Sequence, residues 1–204
     1  MPSSLRWTVA LSVLFGSVFP RVVAAGEAGL VVRVNGMPTV QRAGKTELLK
    51  RGSNVLTGDV IETDAKSKAK ILLNDDSVLA IGPKSRVNVS DFVLGATGRS
   101  VRLQVLAGRF KVAIAKLFSG QTDYEIRTPT AVAGVRGTVL WGDTDLDAIC
   151  ALDGNIEVRP RAGAAAPAQL SSGECVSQMA DGKTVPLKPT AEQLTAYLKE
   201  VTLD

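Results

Sequence analysis

The sequence predicts an all-β domain, built from hairpins or short solenoid rungs and followed by one C-terminal helix. Three observations carry this. Apolar and polar residues alternate with a period of two along much of the chain. The alternating runs end at short turns such as Asn35-Gly36, Ala107-Gly108 and Asp153-Gly154. A helical period occurs only near the C-terminus.

Residues 1–25 read as a secretory signal peptide rather than as fold. Arg6 precedes an apolar run over 7–19 that is too short to span a bilayer comfortably. Pro20 breaks the run, and Val23-Ala24-Ala25 supplies small residues for cleavage after Ala25. No cysteine follows the run, and no second apolar stretch reaches spanning length. The mature chain is therefore expected to be soluble and periplasmic or secreted, with no membrane span after cleavage.

Residues 26–185 are expected to form the β body. Val32-Arg33-Val34 leads to the Asn35-Gly36 turn, with a return strand over 37–42. Thr57-Gly58-Asp59 joins two strands within 54–61. Ser67, Ala69, Ile71 and Leu73 share one strand face, with Lys66, Lys68 and Lys70 on the other, before a break at Asn74-Asp75-Asp76-Ser77. Val101, Leu103 and Val105 alternate with Arg102 and Gln104. Ala107-Gly108 then resets the phase for Phe110, Val112 and Ile114. An apolar run over 148–152 precedes Asp153-Gly154, and Ile156 and Val158 follow. The turns are too unevenly spaced for a strict repeat array. Residues 160–169 read as an exposed loop between the two cysteine-bearing strands. Residues 186–204 hold the helix and tail. Thr190 and Gln193 form a capping box, and Leu194, Tyr197, Leu198 and Val201 share one face, which is expected to pack on the β body.

Composition narrows the chemistry. Among 204 residues there is no histidine, which excludes Ser-His-Asp, Cys-His and histidine-zinc sites. No G-x-S-x-G occurs, and no Gly-rich phosphate loop precedes a helix. No enzymatic activity and no cofactor are expected. Cys150 and Cys175 are the only cysteines. In an exported chain they are read first as a disulfide, with two buried free thiols as the alternative. Residues 26–120 carry 15 basic and 8 acidic residues, and residues 121–204 carry 7 and 12. Packing of the two halves on each other is the simplest account, and a basic face toward anionic glycan or lipid is the sharper one. Charge and aromatic content are both too low to argue for nucleic acid.

Two clusters invite chemistry. Lys66, Lys68 and Lys70 read as a solvated or edge-guarding face, or as a face for an anionic polymer. Asp143, Asp145 and Asp147 space oxygen ligands as a calcium loop does, but Ala148 and Gly154 stand where an EF-hand needs glycine and glutamate. A polar hairpin end is expected there, not a metal site. Trp141 is expected in the core.

Several blocks in order resemble the FecR domain family, the periplasmic domain of iron-dicitrate-type signal regulators. They are RGSNVLTGDVIET (51–63), AKILLNDDSVLAIG (69–82), VRLQVLAGRFKV (101–112), IRTPTAVAGVRGTVL (126–140), ALDGNIEV (151–158) and LSSGE (170–174). Their order and spacing carry the likeness over roughly 30–176, and the TPTAVAGVRGT stretch is its most specific part. The resemblance implies a short twisted β-solenoid or sandwich-like body that binds and signals. Thr128, Pro129, Gly134, Arg136, Gly137 and Thr138 are expected to be a structural signature. The glycines would let the backbone bend or approach a neighbouring rung, and Arg136 would be buried and hydrogen-bonded. The family's full-length regulators add a cytoplasmic helical segment and a membrane helix. Neither pattern is found here, so sigma-factor regulation is not carried over. The expected function is a non-enzymatic, exported protein-interaction or sensory module with an envelope protein as partner. A structural or anionic-glycan-binding protein of the envelope is the alternative.

Overall fold

In the computed structural model the described residues are 26–116, 120–163, 166–178 and 181–203, so the signal-peptide expectation lies outside them. The strands in chain order begin with β1 (Glu27–Asn35), β2 (Thr39–Arg42), β3 (Lys45–Leu48), β4 (Asn54–Leu56), β5 (Val60–Glu62) and β6 (Lys68–Leu73). Next come β7 (Val78–Ile81), β8 (Arg86–Gly95), β9 (Gly98–Ala107), β10 (Arg109–Ala113), β11 (Gln121–Arg127) and β12 (Ala131–Val135). The last are β13 (Val139–Asp143), β14 (Ala148–Asp153), β15 (Ile156–Pro160), β16 (Ala168–Leu170), β17 (Cys175–Gln178) and β18 (Thr184–Leu187), followed by helix α1 (Ala191–Val201).

They make two open sheets. The first runs β18-β17-β14-β13-β10-β7-β6-β1-β4 and the second β16-β15-β12-β11-β9-β8-β5-β2-β3. Among the described residues only β9 and β11 pair in parallel. The all-β expectation holds, and neither sheet closes into a barrel. Strand order follows chain order closely in both sheets, because the chain advances by stepping from one to the other.

Those steps explain the turns. The return strand expected after Asn35-Gly36 is present as β2, but it pairs with β3 and β5 rather than with β1. Thr57-Gly58-Asp59, Ala107-Gly108 and Asp153-Gly154 likewise separate strands of different sheets. The physical reason is the phase. A hairpin keeps the inward set on one sheet, whereas a corner lets each run present its own apolar face to a shared interior. Gly108 turns the tightest of these corners. Its φ is 87°, and a Cβ there would collide with Ser85, whose Oγ accepts from Arg109 N at 2.9 Å.

One cluster forms the core. The first sheet gives Val31, Ile71, Leu79, Phe110, Val112 and Leu140, and the second gives Val40, Ile61, Val87, Leu103, Ile126 and Val158. Arg99 in β9 joins this interior. Its side chain and that of Asp75, in the β6–β7 turn of the opposite sheet, are each 1% exposed and lie 2.6 Å apart.

The first sheet is also covered outside. Trp141, Ala148, Cys150 and Cys175 face away from the main core and pack under Tyr197, Leu198 and Val201 of α1. This explains why β14 reads as almost continuously apolar: both its faces are buried. Trp141 stacks on Tyr197 with ring centroids 4.9 Å apart, a contact of about 0.5–1.5 kcal/mol beyond area burial. The capping box of Thr190 and Gln193 is formed as expected. Cys150 and Cys175 are cross-strand partners joined by a disulfide. The chain after Pro160, exposed at 161–163 and 166–167, joins β15 to β16, not the cysteine-bearing strands directly.

Two outcomes follow. Gly108→Ala should lower unfolding free energy by about 3 kcal/mol in urea titrations. Gly44→Ala has a similar φ but open space around it, and should cost only about 1 kcal/mol. Tyr197→Ala should leave the β-sheet circular dichroism intact while opening the helix. The disulfide beneath should then be reduced by dithiothreitol about tenfold faster, and unchanged kinetics would show that α1 does not shield it.

Candidate functional site

The turn between β11 and β12 is made by the first signature residues. Thr128 Oγ1 accepts from Ala131 N at 3.0 Å, Thr128 N donates to Ala131 O at 2.9 Å, and Pro129 is exposed at the tip. In β12, Ala131, Ala133 and Val135 point inward. The outward phase therefore holds Val132, Gly134 and, just past the strand, Arg136. Arg136 is exposed and forms no ion pair among the described residues. This overturns the expectation of a buried, hydrogen-bonded Arg136. The period-two rule explains why: three inward neighbours at odd positions leave the even position facing water.

The two glycines differ. Gly137 has φ 59° and lies against the stem of Lys116, where a Cβ would collide. It is the corner residue at which the chain passes from the second sheet to the first. Gly134 is in ordinary extended backbone. Its register partners are Glu125 on β11 and Glu157 on β15, so its missing side chain leaves a gap in a charged row. Thr138 is buried and packs beneath the next corner, at Gly154.

That gap is the floor of a hollow of about 670 Å³, walled by Glu125, Glu157 and Arg159 and reached by Lys116 and Arg136. A second hollow of about 350 Å³ lies on the other side of Arg136, lined by Arg99, Lys116, Gln121 and Thr122. The acids of the first hollow are already paired. Glu125 meets Arg127 at 2.6 Å, Arg159 at 3.6 Å and Arg102 at 3.7 Å, while Glu157 meets Arg159 at 3.4 Å.

The guanidinium that the interior does hold is Arg99. Besides Asp75 it donates to Ala115 O at 2.5 Å, and it lies over the Tyr124 ring, 5.5 Å from the centroid. Sequence reasoning missed it, although a signal was available. Arg99 is in phase with Val101, Leu103 and Val105, so the alternation already placed it inside. Burial, and then the Asp75 carboxylate, push the Tyr124 phenol well above its ordinary value.

The lysine row is largely committed. Lys66 is exposed ahead of β6. Lys68 Nζ donates to Lys199 O at 2.8 Å and Thr202 O at 3.2 Å, beside the C-terminal end of α1, where a cation is favoured. Lys70 lines a small hollow with Val201 and Thr202. This arrangement gives no support to a glycan-binding face. The Asp143–Asp147 stretch does end a hairpin as expected, but Asp143 is buried and takes Arg109 Nε at 2.6 Å. Arg109 in turn reaches Glu200 of α1 at 2.5 Å. Arg102 and Arg109 thus tie the basic first half to the acidic second half.

A family model described as FecR protein matches residues 59–164, more than half of the chain, and takes in both the Arg99–Asp75 pair and the Gly137 corner. The chain belongs to the FecR family. This FecR chain shares its fold with two crystal structures of a putative anti-sigma factor from Parabacteroides distasonis. Their TM-scores are 0.53 and 0.52, each at 16% identity over 68% of this chain. The chain covers 64% and 63% of those two chains, less than two thirds of their length. A search of curated proteins finds no match.

Tyr124 provides a test of the interior beside this site. Unfolded chains release a phenol proton near pH 10, whereas folded Tyr124 resists ionisation. Stability is thus unaffected below pH 10 and falls above it, by about 1.4 kcal/mol per pH unit. Tyr124→Phe should remove that share of the alkaline slope in urea titrations between pH 9 and 11. An unchanged slope would mean that the phenol ionises in the folded protein.

Proposed function

We propose that this FecR domain is an exported signalling regulator that acts by holding a protein partner of the cell envelope and not by catalysis. The observation that carries the reading is the position of Arg136: the family-identifying turn presents its cation to solvent beside two hollows. An exposed, unpaired guanidinium adds little to folding, so a contact with another molecule accounts for it better. The anti-sigma description of the P. distasonis protein supports a protein partner. Among the described residues no helix is long and apolar enough to cross a membrane. The alternation between two open sheets with one core supports a sandwich-like body whose strands advance as solenoid rungs do.

A photo-crosslinking amino acid at Gln121, on the rim of the smaller hollow, tests this in cells. Irradiation should yield an adduct with a defined envelope protein in the periplasmic or secreted fraction, and a probe at Lys183 should not. A chain retained in the cytoplasm, or an identical adduct pattern from both probes, would sink the proposal.

A further inference from the structure

We propose that the smaller hollow beside Arg136 is an oxyanion site, taking a carboxylate or phosphate group carried by the partner or a ligand. Three cations line it, Arg99, Lys116 and Arg136, and no carboxylate does. Around it the charges are unequally matched. Asp123 is held by Arg102 at 2.9 Å, Glu125 is shared by three arginines, and Glu157 has Arg159. Neither Lys116 nor Arg136 has a carboxylate partner among the described residues. Two like charges therefore share one hollow with nothing to offset them, an arrangement that a bound anion stabilises.

The position of the site is built rather than incidental. Lys116 follows β10 of the first sheet, and Arg136 follows β12 of the second. They meet because the chain corners at Gly137, whose bare Cα leaves room for the lysine stem. Behind them Arg99 is 5% exposed, and its Nε has no hydrogen-bond partner among the described residues. That nitrogen is closed off from the hollow and the Arg99 charge is met by Asp75, so Arg99 forms the back wall while Lys116 and Arg136 supply the free charge. Thr122 supplies a hydroxyl on the same wall. The adjoining larger hollow carries neutralised acids, so a ligand entering both would place its anion at Arg136 and polar, uncharged groups beyond it.

Titration of the purified protein, followed by backbone amide NMR, tests this with two probes: a short peptide ending in glutamate, and inorganic phosphate. Saturable shifts should centre on Thr122, Arg136 and Gly137, with Kd on the order of 1 mM. Arg136→Gln and Lys116→Gln should each weaken binding about tenfold, or about 1.4 kcal/mol, while Lys45→Gln changes nothing. Tighter binding of the peptide supports a carboxylate source, and tighter binding of phosphate supports a phosphate source. Shifts that do not saturate with either probe, or equal affinity in the Arg136 and Lys116 variants, overturn the site. The inference rests on reading Arg136 as a contact residue, but the two fail separately. A Gln121 adduct that survives Arg136→Gln, with no anion bound, keeps the partner and ends this proposal. Anion binding with no adduct does the reverse.

Discussion

Both sheets have an inner face that must leave water, and a single chain supplies both by crossing between them at tight corners. The rest of the structure depends on those corners holding their geometry. They do so by stacking on one another through small groups. Met37 N donates to Ser67 Oγ at 2.8 Å beside the Gly36 corner, and Gly108 N donates to Thr144 Oγ1 at 2.7 Å. At the other end Thr138 packs under Gly154, whose N donates to Ser172 Oγ at 2.8 Å. Corner backbones have no strand partner at the turn, so neighbouring hydroxyls satisfy their N–H groups. A larger residue at either member of such a pair pushes the two corners apart, and with them the register of four strands.

The corners fix the ends of the body, and the Arg99–Asp75 pair ties its middle. Two buried charges gain net stability only when their remaining hydrogen-bonding groups are met. Asp75 also accepts from Ser77 Oγ at 2.8 Å and from Ser77 N at 3.2 Å, so most of that requirement is satisfied within one turn. Because the partners lie in different sheets, the pair selects one relative placement of the sheets, whatever its net energy. Removing one partner leaves an uncompensated charge inside the shared core.

Much of this was legible in the sequence. Alternation marked the inward residues of β6, β9, β10 and β15, and the capping box and apolar stripe marked α1. The phase resets at Gly108 and Gly154 were visible too. Their meaning was not, because a hairpin and a sheet-changing corner use the same turn residues. The lysine row shows the same limit: nothing local to 66–70 says that a helix more than a hundred residues later ends over Lys68. The sharpest error concerned arginine. The glycines beside Arg136 suggested a site buried by close packing, while strict phase counting put Arg99 inside and Arg136 outside. Where composition and phase disagree, phase is the stronger guide, because a one-residue shift exchanges core for solvent.

The two arginines also divide the labour of the domain. Arg99 joins the sheets and contacts solvent hardly at all. Arg136, half a turn of chain from a corner that the fold needs for its own reasons, is carried outward on rigid backbone. An exposed side chain on a rigid corner can change with little effect on folding, typically within about 0.5 kcal/mol. Its neighbours Gly137 and Thr138 have no such freedom, since one lies against Lys116 and the other under Gly154. Architecture and recognition therefore occupy adjacent residues of one short motif. The glycine and threonine hold the corner in place, and the arginine between Val135 and Gly137 is what the corner presents. Substitutions at Arg136 and at Gly137 then separate into two kinds of failure, lost contact in a folded domain and lost fold, which a purely structural motif would not produce.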